Sequence, residues 1–180
     1  RNMINEESLI EFVEPYYRDK DIMHNMWHID LVKKMVKKIL SIGKYSVDEE
    51  CLTLATYFHG FIYRDEDKIK QWMTEQNYSE DMIAKTVKIA WESQRSEIPE
   101  TMEGKILHDA HVLEGGKTYL MVKTLITGSV RGQSLPETLD YMEKNVLDKN
   151  SCYLPETIPL CNEMNKYTND FFEELIKEVR

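Results

Sequence analysis

The sequence predicts an all-α, single-domain helical bundle, and three observations carry that expectation. Apolar residues recur at three- and four-residue spacing along most of the chain, the period of helices with one buried face. Alternation of period two is sustained nowhere, and no hairpin dipeptide is flanked by alternating apolar residues. No repeat and no linker divides the 180 residues, and 42% apolar with 31% charged content suits one globular domain over 1–180.

Leu9, Phe12 and Val13 sit at helical spacing in a short first helix, disturbed at Pro15 because proline removes a backbone donor. Met26, Trp27, Leu31, Met35 and Ile39 keep a helical stripe over 24–40, which Gly43 ends as a C-cap. Ser46 and Glu49 fit a capping box. The helix it opens carries Leu52, Leu54, Ala55, Tyr57 and Phe58, apolar nearly all round and therefore central. That helix delivers His59 and breaks at Gly60.

Ile69, Trp72 and Met73 mark a narrower stripe over 65–76, and Ser79 caps a helix running to Glu92. Residues 93–102 are polar, contain Pro99 and read as a loop. Thr101 or Met102 opens a helix through Ile106, Leu107, Ala110 and Leu113, stopped by Gly115 and Gly116. Residues 117–127 are β-branched enough for a strand, but helical neighbours and the lack of a partner strand favour a helix. A loop over 128–134 follows, then Pro136 in the first turn of a helix through Tyr141 and Val146. Thr157 starts a last long helix bearing Leu160, Met164, Phe172 and Leu175.

A net charge of -9 sets the surface as a whole against nucleic acid and anionic membranes. Lys33, Lys34, Lys37 and Lys38 alternate with apolar residues and read as the solvated face of a helix. No apolar run is long enough to span a bilayer, and no signal peptide is evident. Cys51, Cys152 and Cys161 are odd in number and form no CxxC, which points to reduced thiols and a cytoplasmic setting. Phosphate-binding, dinucleotide and nucleophile-elbow motifs are missing.

Chemistry can be sought among five histidines, His24, His28, His59, His108 and His111. Helices can converge such side chains on a buried metal, each contributing an inward group. His24 and His28 are four apart, a two-ligand spacing, and His108 adjoins Asp109. Imidazole with carboxylate and no thiolate suits Zn, Fe, Mn or Ni. The plainer alternative, chance spacing and histidines serving as caps, stays open on these residues alone.

The order His28-Ile29, then ATYFHG over 55–60, then Pro99, Thr101, Glu103 and KILHDAHVL over 105–113 resembles the HD-domain superfamily of metal-dependent phosphohydrolases. The likeness extends through Gly132-Gln133-Ser134-Leu135 and the final helix at Phe171-Phe172, and it covers most of the chain. It implies an all-helical fold, a divalent metal (Mn, Fe, Ni, Co, Zn or Mg) and a nucleotide or other small phosphorylated substrate. Carried over by position, His28, His59 and Asp109 would be metal ligands, with His59, Asp109 and Lys123 catalytic. Three positions depart from the pattern: Gly60 replaces the aspartate of the HD pair, Glu92 a histidine, and His111 the second aspartate of DAD. Two outcomes follow. Either Glu92, His24 or His111 compensates in a rewired centre, or the site is degenerate and the fold binds a ligand or partner without turnover. An HD-type di-iron oxygenase is a weaker third reading, because two metals would need the position-60 carboxylate most.

Overall fold

Nine α-helices account for the regular structure of the described residues, 4–94 and 96–180, in the computed structural model. The first, α1 (Glu6–Arg18), starts at Asn5, whose side chain accepts from the Ser8 amide at 3.2 Å. It buries Leu9, Val13 and Tyr17 and continues through Pro15. Pro15 lies on the exposed face, so the carbonyl left without a helical donor, that of exposed Glu11, faces water. Helix α2 (Met26–Ile42) begins later than the periodicity suggested. Asn25 caps it through the Trp27 amide, leaving His24 in the preceding turn rather than on the helix face of His28.

The cap of α3 (Glu49–Phe58) is Asp48, whose carboxylate accepts from the Cys51 amide at 3.0 Å, and not Ser46. A capping oxygen accepts from an amide two or three residues on in the helix's first turn, and of the two candidates it is Asp48 whose side chain reaches one. Seven of the ten residues of α3 are buried. It is the central helix, packed against α5, α2 and α6. After the break at His59 and Gly60, α4 (Ile62–Glu75) starts three residues before the expected position and kinks at Asp65.

The caps expected for α5 (Glu80–Glu92) and α6 (Met102–Leu113) are present, with Ser79 on Met82 and Thr101 on Gly104. Gly115 and Gly116 end α6 with φ of +73° and +82°, left-handed values that glycine adopts without penalty. The stretch 117–127 is helical, and α7 (Tyr119–Val130) runs on across Gly128. A Cβ at Gly128 would lie 2.1 Å from Oγ1 of Thr138, so this glycine lets α8 approach rather than ending the helix. Helix α8 (Leu135–Asn145) has a full capping box between Ser134 and Glu137, and α9 (Ile158–Val179) closes the chain.

Most apolar side chains join one core formed by α1–α6 and the start of α9. Phe12 stacks on Trp72 at 5.0 Å and Tyr16 on Phe61 at 4.3 Å, which clamps α1 over the turn between α3 and α4. Met121, Leu139, Met142 and Phe172 form a smaller core joining α7, α8 and α9. No helix among the described residues is long and apolar enough to cross a membrane. All three cysteines are free thiols.

The Asp48 cap is directly measurable. Asp48→Ala should cost about 1 kcal/mol in urea unfolding, and Ser46→Ala no more than about 0.5 kcal/mol. Equal losses would restore Ser46 as the cap.

Candidate metal centre

A cleft of about 960 Å³ opens between the main core and the α7–α8 pair. All five histidines line it, and three of them meet at its floor. One nitrogen from each of His28, His59 and His111 lies within 4.8 Å of the others. Ring centroids are 5.7 Å apart for His28 and His59, 5.3 Å for His28 and His111, and 5.2 Å for His59 and His111. Three different stretches supply them: the first turns of α2, the end of α3 and the last turn of α6.

Each ring has a distinct support. His59 Nδ1 lies 2.6 Å from the carbonyl of Thr56, which makes Nδ1 the donor and leaves Nε2 with a lone pair. That Nε2 is buried and has no partner among the described residues. Behind His28, Nδ1 lies 2.5 Å from Oε2 of Glu114, an ion-pair contact poorly aligned for a hydrogen bond. Glu114 also accepts from Nζ of Lys123 through its other oxygen. Burial opposes ionisation of Glu114, but His28 and Lys123 outweigh it and hold its pKa below the usual carboxylate value.

Burial lowers the pKa of His59 from 6.5 to about 4, with the neighbouring His28 adding repulsion. Burial, then His59 and His28, moves His111 in the same direction. Neutral imidazoles are the form that binds metal.

The structure brings together His28 and His59 as expected, but it turns Asp109 elsewhere. The fully buried Asp109 carboxylate accepts from the amides of Tyr153 and Leu154 at 3.0 Å and from the Thr157 hydroxyl at 2.6 Å. It thereby anchors the segment leading into α9, and His111 holds the third place at the floor. Two residues are about 200° of helical rotation, so Asp109 and His111 face opposite sides of α6. His24 lines the cleft with Nδ1 committed to Asp21 at 2.7 Å. Glu92 is 6% exposed and turned to the loop after α5, accepting from the Glu100 and Thr101 amides and from the Thr101 hydroxyl at 2.5 Å. It lies outside the cleft lining and does not compensate there.

Gly60 proves to be packed rather than merely vacant. A Cβ there would lie 2.5 Å from Cε1 and 2.6 Å from the hydroxyl of Tyr17. The Tyr17 hydroxyl accepts from the Gly60 amide at 3.1 Å and donates to the Tyr57 carbonyl at 2.6 Å. Lys20 Nζ reaches the Gly60 carbonyl at 2.6 Å, and Gln94 donates to that of His59 at 2.7 Å. Neither Tyr17 nor Glu114 was singled out by sequence. The pairing of a bulky residue at 17 with glycine at 60, 43 positions apart, leaves no local pattern.

The rest of the cleft is unlike the acidic chain. Lys20, Lys123, Arg131, Lys144 and Lys149 line it against Glu97 and Glu114. Arg131, Lys144 and Lys149 make no ion pair with any described residue. The unpaired hydroxyls of Tyr119 and Thr127 also border it.

Two outcomes test this geometry. Gly60→Asp should destabilise the fold by about 1–3 kcal/mol in urea unfolding, because Tyr17 must move; an unchanged midpoint would show that the space is open. Stability should also rise with pH from about 4 to 6.5. Below 6.5 the unfolded chain takes up protons that folded His59 and His111 refuse, so acid favours unfolding. Between roughly pH 7.5 and pH 5 the His59 contribution alone is about 2 kcal/mol. His59→Gln should flatten that slope; an equally steep slope would place the titrating groups elsewhere.

No family model matches the chain, and no curated protein does. Two solved structures share its fold over nearly full length. The Lin1889 protein from Listeria innocua is 23% identical with a TM-score of 0.72, covering 98% of each chain. A Lactobacillus plantarum protein is 14% identical, also with a TM-score of 0.72 and 98% coverage of each chain.

Proposed function

We propose that the protein is a metal-dependent phosphohydrolase acting on a nucleotide or other small phosphorylated molecule in this cleft. The observation that carries the reading is the reversal of charge. A chain of net charge -9 lines one cleft with five lysine and arginine side chains, against two glutamates, around a floor of buried imidazoles. Such a concave basic surface attracts anions that the rest of the molecule repels. The resemblance of the His28, His59 and 99–113 stretches to HD-domain phosphohydrolases agrees with it.

The residues at the floor fit a divalent cation on one specific ground, the buried Nε2 of His59, whose lone pair has no other partner. When bound there, such a cation supplies Lewis acidity toward a phosphoryl oxygen and toward the attacking water. The chain's own groups do the rest. The Thr56 carbonyl fixes the His59 tautomer, and Glu114 orients His28. Lys123, one-fifth exposed beside Glu114, presents positive charge to the cleft and balances charge developing on a transferring phosphoryl group. Lys20 and Arg131 extend that field along the walls.

A second reading, a binding module without turnover, is favoured by one observation: Tyr17 fills the space that a side chain at position 60 would enter. Phosphate release from a panel of nucleotides and phosphomonoesters, with Mn, Ni, Co, Zn or Mg added, separates the two. Turnover abolished by chelation, and lowered about 100-fold or more in kcat/KM by Lys123→Ala, is the expected result. Binding of the same compounds with no release under any metal would establish the second reading instead.

A further inference from the structure

We propose that the floor of the cleft is a mononuclear, three-imidazole site formed by His28, His59 and His111, selective for borderline cations such as Zn²⁺ over Mg²⁺ and Mn²⁺. The inference rests on the reading above that a metal is held there, and it specifies which class of metal and how many.

The donor set decides the class. Three nitrogens from three rings converge within 4.8 Å of one another, and no carboxylate belongs to the cluster. Magnesium demands near-octahedral oxygen coordination, and manganese favours carboxylate and water, whereas imidazole suits zinc, cobalt, nickel and copper. Three protein ligands also leave a fourth position open, the arrangement of zinc sites that do chemistry rather than hold structure.

The number follows from where the carboxylates packed nearest the imidazoles are spent; exposed Glu97 lines the cleft but belongs to no ligand cluster with the three histidines. A second cation would need an anionic bridging group. Glu114 stands behind His28 and is engaged by Lys123. Asp109 is consumed by the Tyr153 and Leu154 amides, the Thr157 hydroxyl and Nδ1 of His108, 2.8 Å from its Oδ1. Asp21 is committed to His24 and the Met23 amide. Position 60 offers no side chain, and the Tyr17 ring and hydroxyl hold the space beside it. Tyr17 cannot serve as the missing anion, because its hydroxyl already donates to one carbonyl and accepts from one amide. Glu114 acts instead from behind His28, as an outer carboxylate that fixes an imidazole ligand.

Equilibrium dialysis of the metal-stripped full chain against Zn²⁺, Mg²⁺ and Mn²⁺ in turn, read by elemental analysis, tests the proposal without any substrate. One zinc per chain, bound roughly 100-fold more tightly than magnesium or manganese, is expected. His111→Ala should weaken zinc by more than about 100-fold, since loss of even an outer partner costs about 10- to 100-fold. His111→Asp should narrow the ratio of zinc to manganese affinity, and far-UV circular dichroism of both variants checks that they remain folded. His24→Ala should leave zinc binding unchanged. Cobalt loaded in place of zinc should give the visible absorption of a low-coordinate nitrogen site.

Two metals per chain, magnesium or manganese binding as tightly as zinc, no metal bound at all, or zinc affinity indifferent to His111→Ala in a folded variant would each overturn it. Hydrolysis supported by magnesium alone would remove this proposal and leave the phosphohydrolase reading standing. Zinc bound as described, with no phosphate released from any compound, would remove that reading and leave this one.

Discussion

The contact between Tyr17 and Gly60 is the constraint on which the centre depends. One phenol, buried completely on α1, bridges the Tyr57 carbonyl near the end of α3 and the first amide beyond His59. It closes the gap that the broken end of α3 would otherwise leave, and a helix end left unsatisfied in a core is unfavourable. The ring is itself pinned, edge-on to Phe61 at 5.7 Å and on the same helix as Phe12 and Tyr16. His59 therefore leaves α3 in a fixed direction, with Thr56 holding its Nδ1 and Gln94 its carbonyl. Glycine at 60 is the condition for all of this, because any Cβ would displace the ring. An open vacancy and a packed substitution look alike in a sequence; here the space is filled.

Asp109 and Glu114, the two buried carboxylates toward the C-terminal end of α6, divide two tasks that a single aspartate could combine. Asp109 takes hydrogen bonds from the 153–157 segment and lies 2.8 Å from Nδ1 of His108, so its contacts hold neighbouring segments in place. Glu114 lies past the helix, pairs with Lys123 and touches His28. The difference arises from position around the helix axis. Residues 110 and 113 point into the apolar core, 109 toward α9, and 111 and 114 toward the cleft. A buried ion pair is weak evidence for stability in itself, since desolvation offsets much of the attraction. The Glu114–Lys123 pair is better understood as setting the charge and orientation of what stands beside it.

Much of the fold was legible because its signals are local. Ser79 and Thr101 mark helix starts by capping at fixed offsets, Pro136 marks a first turn, and Gly115 and Gly116 mark a stop by backbone freedom. The helix over 119–130 overrode the β-branched composition of its sequence, as tertiary context commonly does. Where two local signals compete, pattern alone misleads: Ser46 with Glu49 satisfies the capping-box pattern, yet Asp48 is the residue whose oxygen reaches an amide. His24 and His28 had helical spacing, but Asn25 is a stronger start signal than the spacing is evidence of continuity. At the centre, His28 and His59 were readable as inward histidines on apolar helices. The place of His111 beside them, the outer role of Glu114 and the filling of position 60 depend on packing between distant segments, for which one sequence carries no signature.

What remains is a question of field rather than of contacts. The acidic surface repels anions at long range, and such repulsion is screened beyond roughly 8 Å at physiological ionic strength. Inside the cleft the balance reverses: Arg131, Lys144 and Lys149 form no close ion pair with a described residue, and Lys123 stands beside Glu114 and the imidazoles. Each paired lysine on the outer surface spends its charge on a neighbouring acid, as Lys166 does on Asp170 and Lys117 on Glu163. Those in the cleft are largely spared that neutralisation. An anion that comes within a Debye length of the opening thus meets an excess of positive side chains over Glu97 and Glu114, in the same cleft as the three imidazoles. The local balance of five lysine and arginine side chains against Glu97 and Glu114 therefore opposes the sign of the whole chain, and an anion inside the cleft is held by a field that the rest of the surface does not offer.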